Sequence, residues 1–148
     1  MVAAAVPFLP PSTNDQYRGA PLAAHFLAVL AVLTIVPGCI HTFLPDGGAG
    51  VIAGIDLGPC APVIIALFAW AGATQIALGL VMLVVALRYR SLVPFVLAVV
   101  LLERTLHALD GWMFKGAGRH HPPEHYAVLV GVPLLVVALV ASVPRREA

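Results

Sequence analysis

Glu103, Arg104, His107 and Asp110 interrupt an otherwise apolar stretch, and between them they carry groups able to move protons, bind metals and pair with anions. At about 100° per residue, Glu103, His107 and Asp110 (i, i+4, i+7) fall on one narrow helical stripe, with Arg104 about a quarter-turn aside. Two carboxylates thus bracket one imidazole. An ionisable group at mid-helix in lipid costs about 2.5 to 3.5 kcal/mol on insertion scales, so these residues should face a bundle interior, water or one another.

Several chemistries fit that pattern. The stripe with Arg104, His41 and Gln75 could bind a small ligand, a lipid or a partner subunit. Imidazole plus carboxylate also suits Zn, Cu, Fe or Ni, so His107 with Glu103 or Asp110, joined by His41 and by His121 or His125, could hold a divalent metal. An enzyme would use His107 as general base, oriented by Glu103 or Asp110, with Arg104 holding an anionic substrate. In the plainest alternative Glu103 pairs with Arg104, His107 bonds Asp110 and the loop histidines are solvated.

The elements that must position these groups follow from composition. With 61% hydrophobic and 10% charged residues and a mean hydropathy of +0.99, the 148 residues hold too little polar surface to clothe a soluble globule. An integral membrane protein is expected. A net charge of +1 without a Lys/Arg-rich tract excludes a nucleic-acid partner. One Lys against seven Arg, amid abundant Ala, Val, Gly and Pro, matches the bias of a GC-rich bacterial genome.

Residues 1–20 contain Pro7, Pro10 and Pro11 and a polar run from Ser12 to Arg18, and read as an uncleaved arm, loosely ordered, lying in the interface or set against a partner. Residues 21–148 form one domain, an all-α bundle of four transmembrane helices at about 22–43, 62–87, 92–114 and 126–143. Pro37 and Pro133 should kink the first and fourth. Four crossings put both termini and the turn 88–91 on one side. Lys and Arg then number five there (Arg18, Arg88, Arg90, Arg145, Arg146) against two opposite (Lys115, Arg119), so the termini are expected in the cytoplasm, across a bacterial inner membrane.

His41, His107, His120, His121 and His125 all fall on the side of the two long connections, joined there by Asp46, Asp56 and Glu124. The first connection, with its apolar patch 51–55, reads as a lid over that mouth or as a hairpin in the interface. Glu124 should open the fourth helix at its positive end. Gly72 and Gly79 lie seven apart on the second helix and allow close approach of a neighbour, with Gln75 able to bond across it. Cys39 and Cys60 flank the first connection and are candidates for one disulfide that would pin the lid; two free thiols are the alternative.

The run Gly-Ala-Thr-Gln-Ile-Ala-Leu-Gly-Leu at 72–80, the short basic turn, and a third helix with central Arg104 running into Gly111 resemble the small uncharacterised four-helix bacterial integral membrane proteins. The resemblance spans about residues 22–143 and brings no assigned reaction. Glu103-Arg-Thr-Leu-His-Ala108 is similar to the Glu-Arg-x-x-x-Ala stretch of the membrane-associated eicosanoid and glutathione metabolism family, four-helix proteins that form trimers binding glutathione between subunits. Here the stretch lies in the third segment rather than at the first-to-second connection, and Leu109 and Asp110 stand where that family has Asn. An accessory subunit of a larger complex, or a homo-oligomer, is compatible with the small size and the Gly-rich second helix.

Overall fold

The computed structural model describes residues 8–115 and 120–144. Within them the chain is all-α, with four long helices: α1 (Pro21–Phe43), α2 (Ala61–Arg88), α3 (Val93–Leu109) and α4 (Pro123–Ser142). Short 3-10 turns lead into α2 and α3, and α3 runs on through a π-helical turn at Asp110–Phe114. Counting those turns, the apolar spans are 23, 31, 25 and 20 residues, each long and apolar enough to cross a membrane. Arg119, Arg145, Arg146 and residues 1–7 lie outside the described residues.

Proline sets where the helices begin. Each of the four carries one in its first turn (Pro21, Pro62, Pro94, Pro123), where its fixed φ suits the helix and its missing N–H is no loss. That early proline starts α4 at 123 rather than 126, with Glu124 in the first turn. Pro37 and Pro133 lie inside α1 and α4, and both helices continue through them.

Within this frame α1 packs chiefly on α2, and α3 on α4, as two hairpins. Small residues make the tightest contact. A Cβ at Gly72 would lie 2.7 Å from the Gly38 carbonyl oxygen, and one at Gly79 would lie 3.0 Å from that of Ala31. Large apolar side chains such as Leu33, Val81, Phe95 and Val137 point outward instead, as expected where lipid is no less apolar than the interior. The filled core occupies one half of the bundle, from Leu27 and Ala31 through Met82 and Val85 to Leu97, Val100 and Leu135.

That half ends at the N-terminal arm, which is bound to the protein. Ser12 Oγ and Thr13 N donate to the Arg88 carbonyl (2.9 and 3.0 Å), Asn14 Nδ2 donates to that of Leu87 (2.7 Å), and Tyr89 OH donates to Pro10 O (2.7 Å). The last carbonyls of α2, which have no partner inside the helix, are satisfied in this way. Ala20 N donates to Ala141 O at 2.9 Å, so the start of α1, the α2–α3 turn and the end of α4 gather at one end.

At the other end residues 44–57 fold back over the bundle. Asp46 holds this loop: Oδ1 accepts from Gly48 N (2.8 Å), and Oδ2 accepts from Gly50 N (3.1 Å) and Val51 N (2.9 Å). Gly47 and Gly48 supply the left-handed φ values of 63° and 76° that the turn needs. The backbone donors, that of Val51 foremost, hold the Asp46 carboxyl below its ordinary value of 3.8. A depressed carboxylate stabilises the folded state above its unfolded pKa and loses that contribution as pH falls through the folded one. Asp46→Ala should therefore lower the thermal midpoint at neutral pH, and the gap to wild type should close below about pH 4. A gap that persists unchanged into acid would assign the effect to something other than the ionised carboxylate.

Candidate functional site

The ionisable residues of α3 do not act as one stripe. Arg104 turns inward, its side chain 14% exposed, and reaches across the bundle. Its Nε lies 3.1 Å from Glu103 Oε2, its Nη1 lies 3.6 Å from Glu124 Oε1 on α4, and its Nη2 donates to Thr34 Oγ1 on α1 at 3.4 Å. The Glu103 contact is an ion pair off the line of a hydrogen bond, which leaves Oε2 buried without a hydrogen-bond donor. His107 Nδ1 stands 3.3 Å from Glu103 Oε1, but its side chain is 48% exposed on the outer face. Asp110 pairs with Lys115 (3.5 Å) rather than His107, because the wide π turn lays residue i+5 over residue i. Of the four residues grouped in the sequence, Arg104 is the least exposed and the one that reaches α1 and α4.

Between α1, α4 and the loop lies a cavity of about 1130 Å³, half open and mostly apolar. Leu33, Leu134 and Val130 form part of its wall and are also on the outer surface, at 62%, 50% and 64% exposed, so the cavity opens sideways between α1 and α4. Arg104, Gln75 and Thr34 line its inner part, and His41, Asp56, His120 and Glu124 its mouth. Gly48 and residues 52–56 form the mouth edge, the position expected of a lid, and His120 Nε2 donates to Ala53 O at 2.7 Å to hold it.

Of the proposed metal ligands only His121 and His125 are brought together. His41 Nδ1 donates to the Gly47 carbonyl (2.7 Å) while the ring meets Phe68 edge-on. His121 and His125 face each other, Nδ1 to Nδ1 at 3.1 Å, beneath Trp112, which stacks on His121 at 4.2 Å and donates from Nε1 to His125 O. Among the described residues no three His, Cys, Asp or Glu side chains converge to hold a metal ion. Asp46, counted among the mouth carboxylates, is spent on its own turn.

Cys39 and Cys60 are free thiols, one half-buried and one exposed, so the disulfide does not form. The helix register gives the reason. Gly38 sits against Gly72, so Cys39 lies level with a point about 12 residues, or roughly 18 Å, along α2 from Cys60. Bridging needs α carbons within about 7 Å.

Two contributors were missed in the sequence. Thr34 is a lone hydroxyl in mid-α1, a usable signal had it been set against Arg104. Gly131 lies in the cavity wall on α4 with nothing within 4 Å of a Cβ placed there, and no pattern marks it. The chain matches no family model, no curated protein and no solved structure, so its function has to be read from these side chains.

Proposed function

We propose that this protein binds a small amphiphilic ligand drawn from the lipid phase, within a bacterial inner membrane. The observation that carries this reading is the cavity itself: an apolar chamber continuous with the lipid-facing surface between α1 and α4, with a polar inner end at Arg104 and Gln75. Such a shape suits a molecule with one polar end and an apolar body, entering sideways. The enzyme alternative has less support, since the Arg104 guanidinium is already engaged by Glu103, Glu124 and Thr34, and His107 is not among the cavity's lining residues.

Gly131 supplies the test. A Cβ there meets nothing within 4 Å, so Gly131→Phe should project into the chamber and narrow it without disturbing the helices around it. Wild-type protein purified in mild detergent should carry an apolar small molecule by native mass spectrometry, and Gly131→Phe should lose it with an unchanged thermal midpoint. Equal occupancy in both would overturn the reading, and an empty wild type would favour an accessory subunit or homo-oligomer instead. Arg18, Arg88 and Arg90 at the arm end, with Arg145 and Arg146 beyond the described residues, favour that end facing the cytoplasm. Labelling of the exposed Cys60 by an impermeant maleimide applied outside spheroplasts checks that side.

A further inference from the structure

His121 and His125 meet head-on. Their Nδ1 atoms are 3.1 Å apart and their ring centres 5.4 Å apart, about the widest separation that rings touching through those atoms can have, so both lone-pair directions run along one line. Both rings are held there. Trp112 lies flat on His121, at 4.2 Å and 10° between planes, and donates from Nε1 to the His125 carbonyl at 3.1 Å. A Cβ at Gly111 would stand 2.9 Å from His125 Nε2, so the absence of a side chain there is what lets that ring sit against the end of the third span. The π turn Asp110–Phe114 carries both Gly111 and Trp112, and such turns recur at functional sites.

Two imidazole nitrogens in line suit one kind of ion. Zn²⁺, Ni²⁺ and Cu²⁺ take four or more donors from converging directions, and among the described residues no third His, Cys, Asp or Glu side chain joins the pair. Monovalent copper has a filled d shell and a weakly held hydration shell, and two nitrogen donors opposite each other satisfy it. Its single charge also suits the place, because His125 stands in the first turn of α4, whose positive end opposes a divalent ion more than a monovalent one. We infer that His121 and His125 form a two-coordinate site for Cu⁺, with Trp112 covering one face of it. The neutral pair has one N–H between the two Nδ1 atoms. On binding, the ring that carries it exchanges that proton through water for one on Nε2, so both rings offer a lone pair and no proton is released overall. The rings part slightly to admit the ion. His121 is not among the residues lining the cavity, so this site stands independently of the proposed binding function.

The test delivers Cu⁺ under nitrogen to tag-free, detergent-purified protein in competition with bicinchoninate, whose colour reports the copper it keeps. One Cu⁺ per chain should bind, and its X-ray absorption spectrum should show two nitrogen neighbours in line. Zn²⁺ should bind at least about ten-fold more weakly. His121→Asn and His125→Asn should each weaken Cu⁺ binding about 100-fold and Trp112→Leu, which removes the cover but neither ligand, about ten-fold. His25→Gln, at the start of α1 and the far end of the bundle, should change nothing. The wild-type spectrum and the comparison of Cu⁺ with Zn²⁺ stand even if a variant fails to fold. No bound copper, a spectrum with three or more protein neighbours, tighter Zn²⁺ binding, or Cu⁺ binding that survives the loss of either histidine overturns the inference and leaves the cavity reading intact.

Discussion

Arg104→Ala is expected to destabilise the protein by about 3 kcal/mol, because it removes the cation shared by Glu103 and Glu124 and leaves their charges without a partner. The figure is the low end for breaking a buried ion pair, since Glu124 is 47% exposed and can turn toward water. Arg104→Lys should recover little of the loss, because a single ammonium cannot meet Glu103, Glu124 and Thr34 along separate edges. Arg104→Met combined with Glu103→Gln should recover most of it. Thermal unfolding followed by circular dichroism reads all of these variants, and an Arg104→Ala midpoint equal to that of wild type would show that the pairs contribute nothing.

A comparable loss is expected at the α1–α2 contact. A Cβ at position 72 lies 2.7 Å from Gly38 O, 2.7 Å from Thr42 Oγ1 and 2.8 Å from His41 Cβ, and a backbone oxygen cannot swing aside as a side chain can. The helices must part, so Gly72→Ala should cost about 1 to 3 kcal/mol, and Gly72→Leu more. Gly131→Ala is the matched control: the same change in a helix of the same kind with nothing in the way, where better helix propensity should leave stability equal or slightly raised. Identical midpoints for Gly72→Ala and Gly131→Ala would rule out a tight contact at the Gly38–Gly72 crossing.

The helices were legible in the sequence because length and hydropathy alone identify such spans, and the prolines mark their starts to within a few residues. What each helix face meets was much less legible. A helical wheel gives the angle between Glu103, Arg104 and His107 but not which angle points inward, and between lipid and an apolar core there is no contrast in hydrophobicity to decide it. Partners on other helices settle it: Thr34 and Glu124 draw Arg104 in, and His107 is left outside. Cys39 and Cys60 misled for a related reason. Both flank the same connection, but the register at Gly38 and Gly72 carries the start of α2 well past the level of Cys39. Asp46 looked like a free carboxylate because the backbone donors that occupy it belong to a turn whose shape only the fold reveals.

The arm gives the molecule a fulcrum. It ties the α2–α3 turn to itself through Pro10, Ser12, Thr13 and Asn14, and ties α1 to α4 through Ala20 and Ala141, so the two hairpins are clasped at one end while the other is held only by the loop and by contacts across a void. They are jointed like tweezers. The clasped end, where Leu27, Met82, Leu97 and Leu135 are buried, forms a solid stop, and any splaying would open the gap between α1 and α4 at the tips. On the proposed binding function, a guest too long for the chamber would trail sideways between those helices instead of driving deeper.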